Sequence, residues 1–364
     1  MTIKELVSFL NKTIPPRLQE EYDNAGLIVG SSDQEITGVL VAVDVTEKVI
    51  DEAVEKNVNF ILAHHPLIFS GLKSLTGEDH IERTIIKAIK NDIAVFSAHT
   101  NLDNLYNGVN FKIAEKIGLD EVEILRPRKN ALVKLAFFVP HDQADKVREA
   151  VFEAGAGEIG DYDSCSYNLQ GEGTFRAGEG ADPYVGEKGE LHFEAETRVE
   201  AIFPAYLTNE VVSKMIEAHP YEEVAYDLYP LLNEDKESGP GVVGNLKQPL
   251  SVDDFLKMLK DTFSTEGIRY TNFKEHNVKK VAICGGSGSF LLKDAIRKNA
   301  DAFITADFKY HQFFDADGKI LITDIGHYES EEVTKEIFYE ILRENFHNFA
   351  VHLSKVNTNP INYY

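Results

Sequence analysis

Runs of four to seven apolar residues alternate with amphipathic stretches along most of the chain, a rhythm that predicts short buried strands separated by helices. The opening Thr2-Ile3-Lys4-Glu5 has the form of a capping box, and Leu6, Phe9 and Leu10 follow at helical spacing, so a helix begins the chain. Residues 38–46 (GVLVAVDVT) read as a strand whose Thr46 caps the next helix, EKVIDEAVEKN. Further strands are predicted at 58–65 and 94–100, with helices over 80–91 and near 109–117. The same texture returns at 278–284, 301–306 and 319–326, followed by a helix near 330–345 and a last strand at 349–356. Apolar strands joined by helices indicate βαβ units and a mostly parallel sheet buried on both faces.

The texture changes between these halves. After Arg126-Pro127 come a strand (134–140), a helix (DQADKVREAVFEAG) and a stretch from Gly155 to Gly189 holding nine glycines. A strand (TRVEAIFP), a helix (LTNEVVSKMIEAH) and a strand (224–231) complete a β-α-β…β-α-β order, which matches the ferredoxin-like plan. The expected fold is therefore α/β. A mixed α/β core formed by residues 1–127 and 233–364 carries an inserted ferredoxin-like α+β domain at 128–232, with linkers near 126–130 and 233–242.

Composition narrows the function classes. A formal charge of −23 sets up a field that repels phosphate backbones, so nucleic acid is not expected as the main partner, although a local pocket for a small anion stays open. The two cysteines, Cys165 and Cys284, are far apart and support neither a disulfide framework nor a cysteine zinc site. No apolar run approaches the ~18 residues of a membrane span, and the N-terminus lacks the apolar region of a signal peptide. A soluble protein of a reducing cytoplasm is expected.

Candidate chemistry collects at strand ends. FILAHHPLIF, AFITADFKYH and ILITDIGHYE share one plan, an apolar strand delivering His or Asp at its C-terminal end, where open α/β sheets bind ligands. His64 and His65 are adjacent as one strand breaks into loop, so they address two nearby points. His99 and Asp103 follow the next strand. His327 and Glu331 are four apart and share a face if a helix begins there. Imidazoles and carboxylates converging on one sheet edge form a site for two divalent metals; nitrogen and oxygen donors without thiolate suit Zn, Mn, Fe, Co or Ni rather than Ca.

At these residues the sequence resembles the GTP cyclohydrolase 1 type 2 homologue family, hexameric proteins with a dinuclear metal centre. YDNAGLIVG (22–30), AHHPLIF (63–69), AHTNLDN (98–104), HPYEEVAYDLYPL (219–231), ICGGSGS (283–289), TADFKYH (305–311) and DIGHYESE (324–331) carry the resemblance in order along the whole chain. Tyr22 stands where the family often has Trp, a departure that bears on packing. The resemblance implies metal ligands at His64, His65, Asp103, His327 and Glu331, with His65 and Asp103 on one ion, His64 and His327 on the other, and Glu331 bridging. It also implies a homohexamer whose metal centres face a central cavity, and the insert resembles the PII-like signalling modules, which suggests trimeric packing or small-ligand sensing rather than catalysis.

Other residues leave alternatives open. His99 orients a ligand, carries a proton or caps its loop. Lys309 and His311 meet an anionic substrate or merely begin a helix, and His99 and His311 are the candidate catalytic proton carriers. Gly285-Gly286-Ser287-Gly288 cradles a phosphate or makes a tight turn, the turn being the commoner explanation. Asp23 and Asn24 are read as fixing a turn, Cys284 as a small buried residue, and His219-Pro220-Tyr221-Glu222-Glu223 as shaping the insert. Two functions follow: a dinuclear metal-dependent hydrolase acting on a purine nucleotide, or a non-catalytic metal-binding regulatory protein with a metabolite-sensing insert.

Overall fold

The computed structural model describes residues 1–273 and 277–364. The chain divides into two compact units, Met1–Pro127 with Lys236–Tyr364, and Arg128–Asp235.

The first unit contains two sheets rather than the single sheet expected. One runs in the order Gly26–Val29, Ala94–Ser97, Phe60–Ala63, Gly38–Ala42, Ala350–Leu353; its last four strands are mutually parallel and its first pairs antiparallel with Ala94–Ser97. The other runs Arg269–Tyr270, Leu321–Asp324, Ala302–Ala306, Asn277–Ser287, Val242–Ser251, Leu119–Ile124, with a parallel centre of three strands and antiparallel flanks. The reason is visible in the alternation of side chains. Val39, Val41, Phe60, Leu62 and Phe96 from one sheet share a buried cluster with Val281, Ile283, Ile304 and Leu321 from the other. Their neighbours Leu40, Ile61 and Val95 point the other way, into a second cluster with Val49, Ile50 and Ile85 of the helices Glu47–Glu55 and His80–Lys90. Ala282, Phe303 and Ile322 likewise face a third cluster with Leu292 and Ala295. Each sheet thus buries both faces, as its unbroken apolar strands require.

The predicted helix starts hold. The Thr2 hydroxyl accepts from Glu5 N at 3.3 Å and the Glu5 carboxylate accepts from Thr2 N at 2.7 Å, so the capping box is complete and Ile3, Leu6 and Leu10 are buried. Thr46 caps Glu47–Glu55 through Val49 N at 3.4 Å. No described helix is long and apolar enough to cross a membrane.

The second unit runs β-α-β-β-α-β through Leu132–Pro140, Ala144–Glu153, Tyr167–Arg176, Leu191–Pro204, Thr208–Ala218 and Tyr226–Pro230. Its four strands form one antiparallel sheet in which Tyr167–Arg176 is an edge. Leu135, Phe137, Val139, Val199, Ala201 and Phe203 bury one face of that sheet against Val147, Val151, Val211 and Met215 of the two helices.

Candidate metal centre

Strand geometry delivers the candidate ligands. In the strand Phe60–Ala63 the even positions face the shared cluster, and His64 continues that parity, so its ring is fully buried while His65 next to it is partly exposed. The helices Thr100–Asp103 and His327–Glu331 each begin within three residues of a parallel strand and carry Asp103 and Glu331 at their ends. All five expected metal ligands therefore lie at the C-terminal ends of strands. They come from both sheets of the first unit, not from one sheet edge, because each sheet contributes its own strand ends to the same place.

The histidines share one design. His64 Nδ1 bonds the Ala98 carbonyl at 2.9 Å, His65 Nδ1 bonds Asp44 Oδ1 at 2.7 Å, His327 Nδ1 bonds Asp307 Oδ2 at 2.6 Å, and His99 Nδ1 bonds Asp23 Oδ1 at 2.7 Å. An acceptor at Nδ1 holds the proton there and leaves Nε2 to face the centre, the arrangement of metal-ligating imidazoles. Glu331 Oε2 lies 2.8 Å from His65 Nε2, 2.9 Å from His327 Nε2 and 3.6 Å from His64 Nε2, and His64 Nε2 lies 3.7 Å from Asp103 Oδ1. These distances group His64 with Asp103 and His65 with His327, Glu331 being common to these two groups, while a third group joins His99 to His64 and His65. The resemblance pairs the residues differently but also makes Glu331 the shared ligand.

Electrostatics points the same way. Burial and the neighbouring Glu331 raise the Asp103 carboxyl well above the carboxylate range. Burial also works against the Glu331 carboxylate, yet His64, His327 and His65 around it hold it well below its ordinary value. Burial lowers the imidazole of His64. It opposes charge on His65 and His327 too, but bonds to Asp44 and Asp307, together with Glu331, win and lift them to about 10 and about 11. Among the described residues, His64 Nε2, Asp103 Oδ1 and Glu331 Oε2 are buried atoms that make no aligned hydrogen bond. Three such orphans in one place are costly unless a ligand satisfies them. Nitrogen and carboxylate oxygen donors without thiolate fit a divalent transition metal.

Gly286 closes the cradle. Its φ is +60°, and a Cβ there would overlap Glu331 Oε1 and stand 3.2 Å from His327 Nε2. The phosphate cradle considered for this segment is not built. Gly285 N, Gly286 N and Gly288 N donate to Asn110, Ser330 and Thr305 at 2.9 Å, 3.0 Å and 3.0 Å. The segment is the end of a strand rather than a turn.

A family comparison settles where the chain belongs. The model of the Duf34/NIF3 (NGG1p interacting factor 3) family matches residues 1–360. The chain is a member of the Duf34/NIF3 family. Relatives named GTP cyclohydrolase 1 type 2 homolog are 40% identical over 364 residues in Halalkalibacterium halodurans, covering 98% of each chain, and 40% identical over 366 residues in Bacillus subtilis, covering 99% of this chain and 98% of that one. The crystal structure of a Bacillus cereus protein related to NIF3 superposes with a TM-score of 0.85 at 37% identity, covering 100% of this chain and 99% of that one.

Within this NIF3-family chain some residues take places that their sequence context did not give them. Asp23 does more than fix a turn: besides His99, it accepts from Thr100 N at 3.0 Å and Thr100 Oγ1 at 2.5 Å, and these contacts hold its carboxyl down to about 2 against the cost of burial. His99 sits with its ring 5.3 Å from His64 and 5.4 Å from His65. His311 is exposed at the start of the 3-10 helix Tyr310–Ala316, against Tyr310 and Phe314, and belongs to none of the ligand groups among the described residues. Lys309 is exposed beside it. Cys284 is buried, as expected, and burial pushes its thiol far up. Asp44 and Asp307 were missed as partners, although each ends a strand on the plan that supplied the histidines.

Proposed function

We propose that His64, His65, Asp103, His327 and Glu331 hold two divalent metal ions with Glu331 shared, and that the protein is a metal-dependent hydrolase whose substrate is a purine nucleotide. The observation that carries this is the convergence of three buried ligating atoms, which make no aligned hydrogen bond, with two further Nε2 atoms whose rings are fixed from behind by Asp44 and Asp307. Two divalent ions in such a site supply Lewis acidity and make water acidic enough to react at neutral pH.

The chain's own residues supply the rest. Asp44, Asp307 and the Ala98 carbonyl hold three imidazoles in one tautomer. Glu331, with 3% of its side chain exposed, is screened from bulk water. His99, fixed by Asp23, holds or returns a proton at Nε2 beside the centre, the group a departing nitrogen needs if a purine imidazole ring is opened. It suits this role better than His311, which stands outside the ligand groups. The name of the relatives supports the nucleotide. The reading also takes the second unit as a ferredoxin-like, PII-like module and the assembly as a cytoplasmic homohexamer.

The test incubates metal-replete protein with GTP and other purine nucleotides and follows the products by mass spectrometry, with His99→Ala in parallel. Metal-dependent turnover, lost in His99→Ala at unchanged metal content, is expected. Two bound ions with no nucleotide altered would move the protein to the metal-binding regulatory reading.

A further inference from the structure

The second unit leaves one sheet face uncovered by its own helices, and a cavity of about 710 Å³ is built on it. Strand register sets the floor. Phe138, Arg198 and Leu169 form one row across three strands, and Gly171 lies opposite Glu196 in the next. A Cβ at Gly171 would meet nothing within 4 Å, whereas above Gly173 the Glu196 carboxylate already occupies the space. Phe175, Tyr184 and Tyr221 make the walls, with ring centroids 6.4 Å apart for Phe175–Tyr221 and 6.2 Å for Tyr184–Tyr221. A bond from Asp182 N to Glu222 at 2.8 Å ties the wall segments together. The volume is that of a small-molecule site, ~300–1,000 Å³.

The polar groups say what fits. The Arg198 guanidinium lies over the Phe138 ring and bonds Glu200 at 2.9 Å through Nη2, but its Nε is buried and has no hydrogen-bond partner among the described residues. A buried guanidinium N–H without an acceptor is a rare and costly feature, and it asks for a ligand acceptor. Glu196 takes the Tyr221 hydroxyl on Oε1 at 2.9 Å, which leaves Oε2 to accept from a ligand. Aromatic walls with one N–H donor and one carboxylate acceptor complement a flat heterocycle that carries a ring acceptor and an N–H. An ammonium ligand would face the charge of Arg198 and leave its Nε unsatisfied. A phosphate would meet four glutamates against two arginines along the lining, with no lysine.

We propose that this cavity binds a neutral, planar heterocycle of the nucleobase or nucleoside class, independently of the metal centre. The probes are guanosine and adenosine, titrated calorimetrically into full-length protein, with GTP as the phosphate-bearing comparison and Glu331→Ala as the variant that removes the metal centre. In Glu331→Ala at least one nucleoside is expected to bind more tightly than GTP, and the nucleoside's affinity is expected to match that of the parent chain. Gly171→Phe, which adds a ring at a position where the Cβ itself meets nothing within 4 Å, and Arg198→Lys, which keeps the charge but loses Nε, should each weaken binding at least tenfold. Four results would overturn the proposal: neither nucleoside binding, as for a face that only joins copies of the chain; affinity unchanged by either variant in a folded chain; GTP binding Glu331→Ala as tightly as the nucleosides do; or nucleoside binding lost in Glu331→Ala. The last would place the nucleoside at the metal centre and leave the hydrolase reading standing.

Discussion

Gly286→Ala separates the proposed metal centre from the general cost of a strained backbone. Gly286 has φ +60°, and an added Cβ would fall more than an ångström inside van der Waals contact of Glu331 Oε1. Glu331 has nowhere to retreat, since it is 3% exposed and ringed by His64, His65 and His327. Metal–ligand distances tolerate errors of only about 0.2 Å, so a carboxylate displaced by an ångström no longer ligates in place. Gly118 supplies the control: its φ is +70°, but a Cβ there meets nothing within 4 Å. Both substitutions should cost about 1–2 kcal/mol of stability from the left-handed backbone alone. Only Gly286→Ala should also weaken metal binding, by at least the 10–100-fold typical of lost supporting contacts. Competition with a chromophoric chelator measures the affinity, and urea unfolding in chelator measures the metal-free stability. A Gly286→Ala chain that binds metal as tightly as the parent would refute the argument, as would an equal loss in Gly118→Ala.

Further outcomes follow from the same geometry. Asp44→Asn and Asp307→Asn should each lower metal affinity about 10–100-fold with little change in secondary structure, because each frees one imidazole to rotate or change tautomer; titration by calorimetry checks this. Since His65 and His327 are lifted to about 10 and about 11, both carry protons at neutral pH in the metal-free chain, and a metal must displace them. Affinity should therefore rise with pH from 6 towards 9, with protons released on loading at pH 7, measured in buffers of different ionisation enthalpy. Cys284, its thiol pushed up by burial, should resist alkylation in the folded chain while Cys165 reacts, and both should label in denaturant; mass spectrometry of the labelled peptides decides.

The parts of this structure legible in the sequence are those where local pattern and burial agree. The parallel strands at Gly38–Ala42, Phe60–Ala63, Ala94–Ser97, Ala302–Ala306 and Leu321–Asp324 are buried throughout, so each reads as an unbroken apolar run that ends at a His or Asp. Apolar runs do not say which strand pairs with which, so the division into two sheets was invisible. Leu119–Ile124 escaped notice because four of its six residues are exposed or half-exposed, and Tyr167–Arg176 because it is a glycine-bearing edge strand with little burial on either face. The histidines and Glu331 stood out by type and spacing. Their partners did not: Asp23 reaches His99 from 76 positions away, and only folding reveals such a contact. Asp44 and Asp307 occupied the right place at strand ends, yet nothing local distinguishes a carboxylate that orients a ligand from one that faces water.

Elemental analysis of the protein purified without added metal, repeated on Glu331→Ala and His65→Ala, tests the central claim most directly. The account predicts about two divalent transition-metal ions per chain, in line with a shared-carboxylate site, and loss of metal in both variants while the fold persists by circular dichroism. No stoichiometric metal in the parent protein, or metal content unchanged by both substitutions, would contradict it.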